Sequence, residues 1–244
     1  MTKNLLIIGG KSDIGQAIAK KFISKGYNII LAGRNMENTN TNSIDICSLK
    51  NTVITKINFD ICDFKNHKKF YKNLHVKPDG VVIASGYMVE QNIAENDMYE
   101  TLNTINVNYT GPAILLNIIA SEMEKIGDGF IIGISSVAGE RGRKSNYIYG
   151  SSKSSFTSYL SGLRSRLYQS GIHVLTVNPG FVKTAMTKNL KLPYYLTTSP
   201  EIVADNIYKA VKNKKDIIYI KSIWKVIMII IKLLPEKIFK KINL

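Results

Sequence analysis

The stretch L-L-I-I-G-G-K-S-D-I-G-Q-A-I-A-K-K-F-I, Leu5 to Ile23, changes its period halfway along. Leu5 to Ile8 is an unbroken apolar run, Gly9 and Gly10 stop it, and Ile14, Ala17, Ile18, Phe22 and Ile23 then recur at helical spacing. An apolar run closed by glycines reads as a buried strand, and apolar residues three and four apart read as a helix lying on it. The same alternation continues downstream. Asn28 to Ala32, Val53 to Phe59 and the apolar Gly80 to Ser85 are expected as the next strands, followed by Phe130 to Ile134, Ile172 to Val177 and Asp216 to Ile220. Helices are expected around Glu95 to Glu124 and Tyr147 to Gln169, and the polar stretch Asn35 to Asn51 as a loop holding one short helix. Strands and helices in alternation need right-handed crossovers, which give a parallel sheet covered on both faces. The expectation is an α/β fold: one doubly wound parallel sheet of about seven strands, a Rossmann fold, over residues 1–221, with 222–244 as an amphipathic basic extension.

With 244 residues, 45% of them hydrophobic, the chain can bury a full core without staples. Cys47 and Cys62 have neither metal-ligand nor disulfide-framework spacing, and the three histidines are scattered, so a reduced, metal-free, cytoplasmic protein is expected. The start M-T-K-N-L-L-I-I-G-G is too short in apolar residues for a signal peptide. Net charge is +15, yet the lysines are dispersed and lack interleaved aromatics, which argues against nucleic acid as the partner. A small anionic substrate or a membrane surface fits that charge better.

Two groups of residues carry chemistry. The turn G-G-K-S-D-I-G stands where a dinucleotide fold keeps its phosphate loop: Gly9 permits the turn, Gly15 allows close helix packing, and the helix N-terminus faces the pyrophosphate with Lys11, Ser12, Asp13 and Ile14. Any strand-to-helix connection can hold two glycines, so the loop gains weight only from its company. The second strand ends in Arg34 where a carboxylate would bind a ribose 2′-hydroxyl; a guanidinium there suits a 2′-phosphate, unless it is a solvated loop charge. NADP(H) is therefore the expected cofactor. Further on, Tyr149 and Lys153 share a helix face, thirteen and more residues after Ser136. An ammonium beside a phenol favours phenolate and is expected to lower the tyrosine pKa, making a proton donor for a carbonyl that Ser136 holds. The plain alternative is one face of an ordinary surface helix.

In chain order G-G-K-S-D-I-G, N-F-D-I-C-D, I-A-S-G, N-V-N-Y-T-G, I-S-S-V-A-G, Y-G-S-S-K and N-P-G-F-V-K-T resemble the short-chain dehydrogenase/reductase family from Leu5 to about Tyr219. The resemblance implies Asp60 and Ile61 at adenine, where a capping aspartate would look the same, and Ala84, Ser85 and Gly86 in place of the family's N-A-G turn. It implies Asn108, with Asn106 as rival register, as the asparagine that shapes an active-site helix and holds a relay water. It places Pro179, Gly180, Val182 and Thr184 at the nicotinamide carboxamide. Tyr149 is then the acid, Ser136 orients the carbonyl, and Lys153 binds the nicotinamide ribose. Asp13 departs from the family, which usually has glycine there. Homodimers and tetramers are common in the family.

The C-terminal run S-I-W-K-V-I-M-I-I-I-K-L-L-P-E-K-I-F-K-K-I-N-L is too short to span a bilayer. It is expected either in a membrane interface, with Trp224, Ile227, Ile230, Ile231, Leu234 and Phe239 inserted and Lys237, Lys240 and Lys241 at anionic headgroups, or as an oligomer-interface or lid helix. The S-D-I-G loop and this tail are similar to reductases acting on a polyprenylphosphoryl 2-keto-pentose (decaprenylphosphoryl-2-keto-ribose) in cell-surface polysaccharide synthesis. That similarity implies a lipid-linked carbonyl substrate, with Met186, Leu190, Tyr194 and Tyr195 in its wall. A soluble keto-sugar phosphate, a hydrophobic ketone, and a non-catalytic NADP-sensing protein are the other readings.

Overall fold

A computed structural model describes residues 2–38 and 52–242. In chain order the elements are β1 (Asn4–Ile8), α1 (Asp13–Ile23), β2 (Asn28–Gly33), β3 (Ile54–Asn58), α2 (His67–Lys72), β4 (Gly80–Ile83), α3 (Gln91–Asn96), α4 (Met98–Ile105), α5 (Gly111–Ile126), β5 (Phe130–Ile134), α6 (Tyr147–Leu167), β6 (His173–Pro179), β7 (Phe181–Val182), β8 (Thr197–Thr198), α7 (Pro200–Lys212), β9 (Ile217–Ile220), α8 (Ile223–Leu233) and α9 (Glu236–Phe239). Seven strands form one sheet in the order β3-β2-β1-β4-β5-β6-β9, every pairing parallel, and β7 with β8 makes a small second ladder.

Alternate residues of each central strand serve opposite faces. Leu5 and Ile7 of β1, with Leu31, Val82, Ile132 and Leu175, pack under Ile18 and Phe22 of α1 and Val203 and Ile207 of α7. Leu6 and Ile8, with Ile30, Val81, Ile131 and Val174, pack under Leu115 and Ile119 of α5 and Phe156 and Leu160 of α6. Each such side chain, taken fully out of water, stabilises the fold by about 1.5–3 kcal/mol before entropy is counted. Both faces are covered because both registers of every central strand are apolar. The chain winds outward from β1 to β3 and then restarts at β4 on the other side of β1, so a crevice opens at the carboxyl ends of β1 and β4.

One expected helix changes in two ways, and one loop is seen only in part. The helix over Glu95 to Glu124 is broken: Asp97 is extended (φ −122°, ψ 112°) and its carboxylate caps α4 by accepting from Tyr99 N at 2.7 Å. Between α4 and α5, Asn106–Thr110 forms a π-turn, a local widening that re-aims side chains. Of the loop Asn35 to Asn51, Met36–Asn38 is a 3₁₀ turn, and residues 39–51, Cys47 included, lie outside the described residues.

The tail has two apolar faces. Trp224, Met228 and Ile231 of α8 and Phe239 of α9 are buried against Val137, with Phe181 and Leu196 alongside. The segment after Ser136 fastens them there. Glu140 pairs with Lys232 at 2.9 Å, and Arg141 donates to the carbonyls of Ile231 and Leu234, pairs with Glu236 at 2.9 Å and stacks on Phe239. A guanidinium at the carboxyl end of α8 meets its unpaired carbonyls and the negative end of its dipole. Trp224, Ile231 and Phe239 are therefore not free to enter a bilayer. The outward stripe is instead Ile223, Val226, Ile230 and Leu233, the last 77% exposed. No helix among the described residues is long and apolar enough to cross a membrane.

Candidate active site

The cleft has two connected halves. The first begins where β1 ends. Gly9 takes φ +85°, and any Cβ on it would collide with the backbone of Ala84 and Ser85 after β4. Ser12 caps α1, accepting from Gly15 N at 3.1 Å and donating to Gly9 O at 2.7 Å. The turn that leads into α1, through Gly9, Lys11 and Ser12, borders a cavity of about 500 Å³. Its walls carry Lys11, Ser12 and Arg34 on one side and Asp60, Ile61, Ala84, Ser85 and Gly86 on the other. Asp60 also accepts from Cys62 N at 2.9 Å, so its carboxylate shapes the wall it lines. The Ser85 hydroxyl is buried without a protein partner. A helix N-terminus, two cations and an orphaned hydroxyl suit a phosphorylated nucleotide.

The second half, about 220 Å³, brings together Ser136, Tyr149 and Lys153 with Pro179, Gly180, Val182 and Thr184, and reaches Lys11 to Ile14 and Ala84 to Gly86. Ser136 lies just past β5, and its Oγ accepts from Ala138 N at 3.1 Å. Tyr149 stands in the first turn of α6 and Lys153 one turn later. Lys153 is 3% exposed and its ammonium donates to Ile134 O at 3.0 Å, lying 5.9 Å from the centre of the Tyr149 ring. Asn108, 1% exposed inside the π-turn, is clamped behind this wall: Oδ1 accepts from Tyr87 N at 2.9 Å and Nδ2 donates to Tyr87 O at 2.7 Å. Asn106 is less buried and makes no such contact with the site wall. A Cβ on Gly86 would lie 3.7 Å from Asn108 Oδ1 and 3.9 Å from Lys153 Nζ, so this residue sits where those two side chains approach one another.

The electrostatics correct one expectation. Burial pushes the Tyr149 phenol up to about 12, opposed by its hydrogen bond with Ser136, and burial pushes Lys153 down to about 8. Desolvation penalises both charged forms, and burial rather than a neighbouring ammonium sets the direction of the phenol's shift.

Met186, expected in a substrate wall, lines the second half; Ser135, Ala185 and Thr187 line it too, and Asn35, Phe59 and Val107 the first. These six lie within three residues of positions picked out by motif, and that nearness was the signal that could have found them. Nothing local pointed to Trp224, whose ring lies where a Gly180 side chain would be and whose Nε1 donates to Leu196 O at 3.1 Å.

Residues 3–194 match the family model described as short chain dehydrogenase. An uncharacterized oxidoreductase of Mycobacterium tuberculosis is 29% identical over 240 residues, covering 97% of this chain and 96% of its own length. Carbonyl reductase family member 4 of Xenopus laevis is 26% identical, covering 85% and 90%. Among solved structures, a short chain dehydrogenase from Burkholderia cenocepacia in complex with NADP superimposes with a TM-score of 0.82 at 17% identity, covering 98% of this chain and 97% of that one. A short-chain dehydrogenase from Sphingobium yanoikuyae in complex with NADPH gives 0.80 at 17%, covering 96% and 97%. At such identities these two establish the fold.

Proposed function

The chain belongs to the short-chain dehydrogenase/reductase family, and from that premise we propose that it uses NADPH to reduce a ketone to a secondary alcohol. The observation that carries this is the single cavity collecting Ser136, Tyr149 and Lys153 with Gly86, Pro179 and Thr184. NADPH bound there supplies the hydride. The α1 amino terminus with Gly9, Ser12, Ile14 and Gly15 holds its pyrophosphate, Lys11 and Arg34 its 2′-phosphate, and Asp60 and Ile61 its adenine. Ala84, Ser85 and Gly86 lie along its length, Lys153 takes the nicotinamide ribose, and Pro179, Gly180, Val182 and Thr184 the carboxamide.

Tyr149 gives its proton to the substrate oxygen as negative charge develops on it, while the Ser136 hydroxyl donates a hydrogen bond to the same atom. A high phenol pKa keeps that proton in place until the oxygen demands it. Lys153 then faces the new phenolate. Asn108, with one donor and one acceptor left over after Tyr87, is fitted to hold a relay water. A protein that only senses nucleotide has no use for a buried amine beside a phenol. Tyr149→Phe is expected to lower turnover about 10²- to 10⁴-fold while NADPH still binds in a fluorescence titration. Retained turnover overturns the assignment of the acid.

For the substrate we favour a keto-sugar on a polyprenyl phosphate, in cell-surface polysaccharide precursor synthesis, met at the cytoplasmic membrane face. Support comes from the outward stripe Ile223, Val226, Ile230 and Leu233, exposed Lys225, Lys237, Lys240 and Lys241, and from Tyr194 and Tyr195, 78% and 84% exposed near the cleft. Burial of Trp224, Ile231 and Phe239 favours the second reading, a soluble keto-sugar phosphate or hydrophobic ketone, because it leaves the membrane fewer apolar groups. Truncating residues 222–244 would strip Trp224 and Met228 from the core, so the cleaner test is Val226→Glu with Ile230→Glu. Loss of flotation with anionic liposomes supports the lipid reading; no flotation of the wild type sinks it. Sedimentation of the same sample distinguishes a homodimer or tetramer, the assemblies favoured here, from a monomer.

A further inference from the structure

Asp13, the residue that departs from the family pattern in the phosphate loop, does not turn its carboxylate toward the cleft floor. Its Oδ2 accepts from Ala185 N at 2.7 Å, joining the first turn of α1 to a segment 172 residues away. Ala185 opens the 3₁₀ turn Ala185–Thr187, and its amide is one of the unpaired donors of that turn. Thr184 and Thr187 cap one another just beneath, with Thr184 N donating to Thr187 Oγ1 at 3.1 Å, so the amide is presented by a braced turn. The carboxylate therefore sits between two helix starts, its own and that of the 185–187 turn, and both favour negative charge. Both ends of this bridge line the half-cleft that holds Tyr149 and Lys153. Exposed Lys183 and Lys188 flank it on the outer side, where they share a surface hollow with Asp13.

We propose that Asp13 is a positioning residue: its carboxylate clasps the 183–187 segment across the cleft, closing the protein over a bound dinucleotide and setting how fast that dinucleotide leaves. This rests on the nucleotide-binding reading above. It also accounts for an acid in a phosphate loop, since a carboxylate occupied by a backbone amide is not aimed at the pyrophosphate. The contact is exposed to solvent, so it is a latch of modest strength that opens and reforms rather than a permanent tie.

The test uses Asp13→Ala, Ala185→Pro and the double variant, each with two readouts. Proline removes the donor and puts a ring carbon in its place; it is tolerated at the first position of a helical turn, and the extended Thr184 before it (φ −141°, ψ 168°) suits a following proline. In the free protein, hydrogen exchange across residues 183–190 should quicken in Asp13→Ala. Release of NADPH, followed by stopped-flow fluorescence, should quicken about three- to tenfold in either single variant and no further in the double. Multiplied effects in the double variant, unchanged exchange, or slower release from Asp13→Ala would each overturn the clasp. A wild-type protein that shows no NADPH signal sinks the nucleotide reading and the release role with it, whereas clear NADPH binding with unchanged exchange sinks the clasp alone.

Discussion

The two halves of the cleft are built on different physical terms. The half at the ends of β1, β2 and β4 has a local centre: Gly9, Ser12 and Gly15 fall within one strand, turn and helix and bond to one another within three residues, although Gly9 and Ser12 also meet Ala84 after β4. The half at the ends of β5 and β6 is assembled from afar. Trp224 comes up under Gly180, Arg141 reaches the end of α8 across more than 90 residues, and Asp13 meets Ala185. A local half is specified by motif, whereas a half made of distant partners depends on the packing of the whole molecule.

That contrast can be broken from either side. The largest expected effect is on the assembled half. Trp224→Ala removes a buried ring and should cost about 3–5 kcal/mol in urea unfolding, while Gly9, Arg34 and Ser85 keep their geometry. If stability changes by less than about 1 kcal/mol, the tail is not part of this half. Next in size, the stability of the wild-type protein should rise as pH climbs from about 8 to about 10. There the unfolded Lys153 still carries a proton and the folded one, with its pKa near 8, has shed it. Lys153→Met should flatten that rise, and a slope that survives the substitution assigns it elsewhere.

On the local half, Arg34→Ala should lower the preference for NADPH over NADH about tenfold, read from kcat/KM with each nucleotide. An unchanged ratio removes Arg34 from cofactor selection. The smallest effect belongs to His67, fully buried behind Ile61, where it donates Nε2–H to Ile61 O at 2.9 Å. Burial holds its pKa below the usual histidine value, so it folds neutral. Stability should be complete above about pH 6.5 and fall as pH drops below that, because the unfolded chain takes up the proton. His67→Gln should blunt this acid-side loss in unfolding experiments at pH 7.5 and 5.5.

What the sequence revealed follows the same division. All seven strands of the main sheet were readable, within one to a few residues at their ends, because runs such as Leu5–Ile8 and Phe130–Ile134 are apolar in both registers. Spacing put Tyr149 and Lys153 on one helix face, but what joined Ser136 to them was the resemblance of I-S-S-V-A-G and Y-G-S-S-K to the family. The break at Asp97 was hidden, since an aspartate in an otherwise helical pattern reads equally as an interior residue or a cap. The orientation of α8 was hidden for a stronger reason. It is apolar almost all round, and with no polar face to mark the outside, periodicity could not tell Trp224 and Ile231 from Val226 and Ile230. The phenol pKa depends on burial, which spacing does not report.

The fastening of Glu140, Arg141 and Arg143 to the tail also bears on where the chain can be cut. Met228 lies against Arg143, Lys232 pairs with Glu140, and Ile231, Leu234 and Glu236 meet Arg141, so the stretch just after Ser136 gains a large share of its contacts only when those later residues are present. A chain cut near residue 220 would keep the turn between β1 and α1 yet expose Val137 and leave Arg141 without its partners on α8 and α9.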